Sequence, residues 1–190
     1  MAAATSSSPP LTASAPTQRP ARDIDEPPII VFDFAENRSG ANARRFLADY
    51  GGALVVDDYA GYKSLFQSTP MREIGCWAHA RRKFFELHEA NKSTLAAEAL
   101  TRIGALYEIE REAKTMTADA RHAHRQEHAR PKVDALFAWL DALRPSINGG
   151  SASAKAVDYL LRRRPAFTAY LDDGRFPIGR VGMWRGDRSR

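Results

Sequence analysis

Residues 54–62 read LVVDDYAGY, and residues 76–85 read CWAHARRKFF. The first run is apolar and ends in acid, glycine and tyrosine, which predicts a buried strand that brings the carboxylate of Asp57 to the edge of a sheet. The second run begins apolar and becomes basic at Arg81, Arg82 and Lys83. A carboxylate at a strand exit near such cations is suited to holding a divalent cation beside phosphates. The two runs therefore predict where a functional site lies.

Short apolar segments around these runs predict an α/β fold. Residues 29–34 are β-branched and aromatic enough for a strand buried on both faces. Apolar residues recur at helical spacing over residues 43–50, which predicts a short amphipathic helix before the strand at 54–56. The order strand, helix, strand implies a parallel or mixed sheet with a crossover helix. A further short strand around residues 74–77 would join the same sheet.

Beyond Phe85 the pattern is helical. A long helix is predicted after Ser93 or Thr94, either of which can serve as its N-cap. Pro131 opens a second helix with apolar residues at i, i+3, i+4 and i+7, and a third is predicted over about residues 153–164. The stretch between the first two helices, from residue 114 to 130, is very polar.

Composition sets limits on the class of protein. A length of 190 residues with 44% hydrophobic content is enough for one ordinary domain. The net charge of +5 and the pI near 9.6 favour polyanionic partners without proving one. The lone Cys76 excludes an internal disulfide framework and suits a reducing compartment. No apolar run approaches the roughly 20 residues of a membrane helix, so we expect a cytoplasmic protein without a membrane partner.

The two ends of the chain lack the pattern of a packed fold. Residues 1–27 are rich in Ala, Ser, Thr and Pro and predict a disordered, low-complexity leader without the features of a signal peptide. Residues 175–190 have no periodicity, and we predict an irregular tail there.

The two runs, the helical residues 99–110 and the sequence Leu171-Asp172-Asp173-Gly174 occur in the order typical of one family. From Pro27 to Ile178 the chain resembles the central part of an insertion-sequence-66-family transposase. The resemblance implies an α/β fold with a partial RNase H-like sheet over residues 28–90, followed by an all-α, insertion-like helical segment over residues 91–174.

The resemblance also implies a chemistry. In such transposases two Asp and one Glu hold two Mg²⁺ ions that cut and join DNA, and paired ions clamp the attacking and leaving oxygens of a phosphoryl transfer. Asp57 matches the second of these acids, which makes it the expected catalytic residue and metal ligand. DNA is the expected partner, with a homo-oligomer or other transposition proteins as further candidates. The basic residues expected to contact DNA are Arg44, Arg45, Arg81, Arg82, Lys83 and the run from Arg162 to Arg164.

The departures from the family pattern bear on activity. No residue matches the first Asp, and Ile178 is followed by Gly179-Arg180-Val181 where the family has Asn-Asn and then Glu-Arg. With two of three carboxylates missing, the Mg²⁺ site is incomplete, and we expect a DNA-transposition fragment that is inactive. A non-catalytic DNA-binding protein or an inert remnant is the alternative.

Each of these residues also has a simpler interpretation. Asp57 could cap a turn, and the basic run could be a solvated helix face. Trp77 is expected in the core, and His79 is expected to be structural. The sequence His124-Arg125-Gln126-Glu127-His128 has the spacing of a zinc protease motif, but we expect no metal site there because the neighbouring residues are polar and offer nothing to bury.

Overall fold

The structure, a computed structural model, describes residues 40–47, 50–57 and 60–179 and the backbone of residues 182–184. The strands are β1 (Ala53–Val56), β2 (Arg72–Gly75) and β3 (Gly182–Trp184). The helices are α1 (Gly40–Phe46), α2 (Lys63–Ser68), α3 (Trp77–Asn91), α4 (Thr94–Glu112), α5 (Ala118–His124), α6 (Arg130–Leu143), α7 (Ala152–Leu161) and α8 (Arg164–Thr168).

The three strands form a mixed sheet in the order β2-β1-β3. β1 and β2 are parallel, with Val55 opposite Ile74, and α2 lies on the connection between them. β3 is antiparallel to β1, with Gly182 opposite Val55. The predicted strands at 54–56 and 74–77 are confirmed, although the second begins and ends two residues earlier. The predicted strand at 29–34 lies outside the described residues.

Helices cover both faces of β1 because side chains alternate along a strand. Ala53 and Val55 belong to a large buried cluster shared with α3, α4, α6 and α7. Leu54 and Val56 point the other way and pack with Leu65 of α2. All four side chains of β1 are therefore buried, as the continuous apolar run predicted.

The helical region packs on the sheet through one continuous core. The α3 side chains at positions 77, 80, 84 and 87 are buried and form one helix face. Ser93 is the N-cap of α4, and its Oγ accepts a hydrogen bond of 3.3 Å from the amide of Ala96. The same buried cluster contains Val55 of the sheet and Leu136 and Leu160 of the later helices. The α/β sheet and the helices that follow it therefore share their apolar interior.

The polar stretch from 114 to 130 differs from expectation. It forms α5 and a π-helical turn from Arg125 to Ala129 that leads into α6. Arg121 and Arg125 are buried, with only 1% of Arg125 exposed. The expectation that this stretch has nothing to bury is wrong, because its two central guanidinium groups lie inside the protein.

Two regions near the C-terminus also refine the sequence prediction. The predicted third helix is divided into α7 and α8, and Pro165 lies in the first turn of α8, where its missing amide is tolerated. Residues 175–190, for which no regular structure was predicted, contribute β3 to the sheet. Within the described ranges, no helix has the length and apolar character needed to cross a membrane.

Candidate functional site

Asp57 directly follows β1, and its side chain is 43% exposed. Its backbone is held in place by side chains on and just after α7. Tyr159 Oη donates a hydrogen bond of 3.1 Å to the carbonyl of Asp57, and Arg163 Nη1 donates one of 2.9 Å to Tyr159 Oη. Arg163 Nη2 also reaches the carbonyl of Val56 at 3.5 Å. Two side chains more than 100 residues further along the chain therefore hold the end of β1 in place.

Arg163 also neutralises an acid of the neighbouring strand. Its Nε lies 3.1 Å from Glu73 Oε1 on β2, and its guanidinium group is about nine-tenths buried. The guanidinium carbon lies 5.2 Å from the ring centre of Tyr159 and 5.5 Å from that of Phe167. Such stacked, hydrogen-bonded geometry suits arginine and not lysine. Glu73 is therefore part of the structural support beside Asp57.

His79 faces Asp57 from the first turn of α3. Its Nε2 lies 3.6 Å from Asp57 Oδ2, and its Nδ1 lies 3.3 Å from the sulfur of Cys76. Cys76 is buried, and its thiol donates a hydrogen bond of 3.4 Å to the carbonyl of Gly179. The histidine expected to be structural is thus held between a buried thiol and the carboxylate of the candidate site.

The basic run on α3 does not form one patch. Successive helix residues are rotated by roughly 100°, so Arg81, Arg82 and Lys83 point in three directions. Arg82 Nε lies 2.8 Å from Glu86 on the next turn. Lys83 Nζ lies 4.5 Å above the ring centre of Tyr159, which places its charge beside the residue that anchors Asp57.

Arg81 lies close enough to Tyr107 of α4 for its charge to act on that residue. Burial raises the pKa of Tyr107 to about 12, the neighbouring Cys76 and Glu110 add to this effect, and the positive charge of Arg81 opposes it. Arg81 itself is exposed. Arg81 is therefore the exposed basic residue of this run that lies near Tyr107 and Cys76.

Arg44 and Arg45 lie on the opposite side of the sheet from α3. Both are exposed in the last turn of α1, and Arg44 Nη1 donates a hydrogen bond of 2.9 Å to Ser64 Oγ of α2. α1 packs against residues Ala60–Tyr62, which follow the candidate site in the sequence. Arg44 and Arg45 thus lie on a helix that covers the face of β1 opposite to α3.

The Asp-Asp-Gly turn is held by the buried arginines. Arg125 forms two hydrogen bonds of 2.7 and 2.6 Å with the carboxylate of Glu110. Its Nη1 donates to the carbonyls of Tyr170 and Asp173 at 2.8 and 2.9 Å. Arg121 donates to the carbonyl of Gly174 at 3.2 Å. The polar stretch therefore satisfies the backbone of a turn that would otherwise bury unpaired carbonyl groups.

Further contacts fix the same turn from outside. Gln126 Nε2 donates to the carbonyl of Leu171 at 2.6 Å, and Arg130 Nη2 lies 2.8 Å from Asp172 Oδ1. Arg72 of β2 also pairs with Asp172. Burial raises the pKa of Asp173, but hydrogen bonds from Arg175 outweigh burial, and the resulting pKa is below the ordinary value.

The turn returns the chain to the candidate site. The carbonyl of Ile178 accepts a hydrogen bond of 3.0 Å from the amide of Trp77, at the start of α3. Gly179 lies beside Cys76, which in turn contacts His79. The predicted departure from the family pattern, after Ile178, therefore falls next to the residues that surround Asp57.

Three residues of this arrangement were not identified from the sequence: Tyr159, Arg121 and Arg125. Arg163 was expected to contact DNA, and this is wrong, because its side chain is about nine-tenths buried and paired with Glu73. Arg121 and Arg125 are four residues apart and continue the row of buried positions at Ala129 and Val133. Tyr159 and Arg163 have the same spacing on and just after α7. An arginine at a position where the helical period requires a core residue is the signal that could have found them.

The described donor groups at Asp57 do not by themselves fit a cage for two Mg²⁺ ions. Magnesium prefers about six oxygen ligands and keeps several of its waters, and two ions need several carboxylates from different elements. Within residues 40–47, 50–57 and 60–179, no three His, Cys, Asp or Glu side chains lie close enough together to hold a metal ion. This statement includes His124 and His128, whose ring centres are 4.5 Å apart.

Comparison with known proteins places the chain in a family. The sequence profile described as "Transposase IS66 family" matches residues 13–179. Among curated proteins of Sinorhizobium fredii (strain NBRC 101917 / NGR234), "Uncharacterized protein y4jD" is 37% identical over 158 residues, which are 80% of this chain and 31% of that protein. "Uncharacterized protein y4hP" is 34% identical over 165 residues, which are 78% of this chain and 30% of that protein. No solved structure matches.

The extent of these matches qualifies the resemblance seen in the sequence. The profile match begins at residue 13, earlier than the resemblance at Pro27, and ends at residue 179, one residue after Ile178. The chain spans less than a third of the length of these curated relatives. A profile match over most of the chain nevertheless settles its ancestry: the protein belongs to the IS66 family of transposases.

Proposed function

We propose that this chain is part of a DNA transposase that contains one carboxylate of the metal-binding cage, Asp57, and that it does not cut or join DNA by itself. The observation that carries this proposal is the position of Asp57. Asp57 follows the carboxyl end of the parallel strand β1, beside the start of α3. Its Oδ2 lies 3.6 Å from His79 Nε2. The described residues bring no group of three metal ligands together there or elsewhere.

The arrangement around β1 supports an RNase H-like core as part of this proposal. β1 and β2 are parallel, helices lie on both faces, and the acid follows the central strand of the described sheet. Functional residues of open α/β sheets gather at the carboxyl ends of their strands. We infer that the missing acids belong at this same end, and that the segment after Ile178 is where one of them would enter.

In this proposal, some residues of the chain hold Asp57 in position and others attract DNA by their charge. Tyr159 and Arg163 fix the backbone of Asp57, and Lys83 places a cation beside that anchor. Exposed arginine and lysine side chains attract the phosphate backbone without reading its sequence. This supports DNA as the partner of the proposed function. Formation of a homo-oligomer, or binding of further transposition proteins, stays a prediction.

Non-catalytic DNA binding is the second candidate, and the exposed basic residues of α3 favour it. We expect weak binding to duplex DNA that falls steeply between about 50 and 200 mM salt, because phosphate contacts release counterions. Replacing Arg81 with glutamine should lower the slope of log affinity against log salt by about 0.9 for one lost phosphate contact. Fluorescence anisotropy with a labelled duplex measures this slope.

The matched control for that experiment is Lys92→Gln. Lys92 is the C-cap of the same helix, 13 residues or about 20 Å from His79, and its Nζ lies 3.2 Å from Glu89. Both variants remove one positive charge, so only a local contact at Arg81 makes their slopes differ. Equal slopes would contradict a DNA-binding role of Arg81, and no binding at low salt would favour the inert remnant.

A further inference from the structure

One aromatic side chain of α3 lies outside the core. Among the large apolar residues in the described ranges, only Phe46 and Phe85 are strongly exposed, at 41% and 47%. Phe84, the preceding residue, is fully buried, so the rotation of the helix turns Phe85 outward. The Phe85 ring contacts no other aromatic ring and no cation among the described side chains. Single exposed apolar residues are common, so the surroundings of Phe85 decide its role.

Two arginines flank Phe85 on the exposed face of α3. Residues of an α-helix are rotated by about 100° each, so Arg81 lies about 40° to one side of Phe85 and Arg82 about 60° to the other. Both side chains are exposed, and Arg82 pairs with Glu86 at 2.8 Å. Arg81 differs from the other described arginines, because it makes no hydrogen bond, ion pair or cation–π contact with a described residue. An exposed ring therefore lies beside a guanidinium group that has no carboxylate partner in the described ranges.

The combination of an exposed ring and neighbouring cations suits unpaired nucleotides. Bases of a single strand stack on aromatic side chains, while the phosphates between them are attracted to arginine and lysine. A base inside a duplex is stacked and paired, and a protein side chain reaches it only after it leaves the helix. Residues 78–85 contain three Arg or Lys residues and no acid, which makes the charge of this segment complementary to a phosphate backbone.

We propose that Phe85 is a stacking platform for an unpaired DNA base, and that Arg81 binds a phosphate beside that base. The inference rests on the DNA binding proposed above and adds a preference for unpaired strands, which phosphate attraction alone does not supply. Phe85 lies six residues, or about 9 Å along the helix axis, from His79, which contacts Asp57. A base on this ring therefore lies near the candidate site.

The test measures the affinity of the full chain for labelled DNA by fluorescence anisotropy. The probes are an oligothymidine single strand, a duplex of the same length, and a single strand of the same length built of abasic sites. Phe85→Ala should weaken oligothymidine binding about 5- to 150-fold, the range for losing one stacked base, and change binding of the other two probes by less than about twofold.

Further variants separate stacking from apolar contact and from charge. Phe85→Trp keeps an aromatic face and should retain oligothymidine binding, whereas Phe85→Leu keeps apolar area only and should lose as much affinity as Phe85→Ala. Phe85→Ala removes no charge, so the slope of log affinity against log salt should stay constant. Arg81→Gln should instead lower that slope on the single strand by about 0.7, for one lost phosphate contact.

The control variant is Phe46→Ala, which removes the other exposed ring, on α1 across the sheet from α3. It should leave all three affinities unchanged. Duplex binding that persists while Phe85→Ala or Phe85→Leu binds oligothymidine as tightly as the unmodified chain overturns the inference and leaves DNA binding standing. No binding to any probe overturns both. If Phe85→Ala only converts a dimer to a monomer in analytical ultracentrifugation, the ring contacts a second copy of the chain, and the inference is wrong.

Discussion

Replacing Arg125 with methionine is expected to destabilise the fold by about 3 to 5 kcal/mol, because removal of one partner leaves a buried charge uncompensated. Arg125 is 1% exposed and pairs with Glu110, whose side chain is 14% exposed. The variant would also remove two hydrogen bonds to the carbonyls of Tyr170 and Asp173. Urea unfolding followed by circular dichroism measures the change in the free energy of unfolding.

Two further variants test whether the buried charge causes the loss of stability in Arg125→Met. Arg111→Met removes an exposed arginine that pairs with Glu108 on the surface of α4, and we expect a change within about 0.5 kcal/mol. Adding Glu110→Gln to Arg125→Met should restore part of the lost stability, since it removes the uncompensated carboxylate. If the double variant is less stable than Arg125→Met, hydrogen bonding and not charge would dominate the loss.

Trp77→Ala is expected to cost about 3 to 5 kcal/mol, the range for truncating a large aromatic residue in a packed core. Trp77 is fully buried, and its indole Nε1 donates a hydrogen bond of 3.1 Å to the carbonyl of Phe167. Its ring also makes edge contacts with Phe137, Phe167 and Tyr170 at centroid distances of 6.4, 5.0 and 6.3 Å. The shift of the urea midpoint at constant slope measures the loss.

An exposed aromatic residue on the same helix provides the control. Phe85→Ala removes an aromatic side chain that is 47% exposed, so we expect at most a small change. Trp77→Phe keeps a ring but leaves the Phe167 carbonyl without its donor, which should cost less than the alanine variant. Equal effects of Trp77→Ala and Phe85→Ala would contradict the central position of Trp77 between sheet and helices.

The sequence predicted the elements whose stability is local. β1 is a continuous apolar run, and α4 and α6 carry helical spacing with an N-cap serine and a first-turn proline. Trp77 was also expected in the core, and it is buried. In these cases the pattern of neighbouring residues is enough to determine the structure.

Elements that depend on distant partners could not be predicted. Arg125 is buried because it binds carbonyls 45 and 48 residues further along the chain, and no local pattern shows such partners. β3 is three residues long and has too little sequence to carry a strand period; its pairing with β1 defines it. Secondary-structure propensity is a weak guide where tertiary contacts determine the structure.

The candidate site was predicted in the same partial way. A strand exit located Asp57, but its contacts with Tyr159 and His79 come from separate helices that fold against that strand. The basic run on α3 was expected to contact DNA, which stays a prediction. The helical rotation directs Arg82 to Glu86 and Lys83 to Tyr159, and these contacts could not be read from the run itself.

The central proposal is that this chain carries only one acid of a two-metal cage, Asp57. Its most direct test is a cleavage and strand-transfer assay, in Mg²⁺ and in Mn²⁺, on DNA that carries the ends of the parent element. We predict no nicked or joined product from the purified chain, and no difference between it and Asp57→Asn. A product that the unmodified chain forms and Asp57→Asn does not form would contradict the account, because such activity requires a complete metal site.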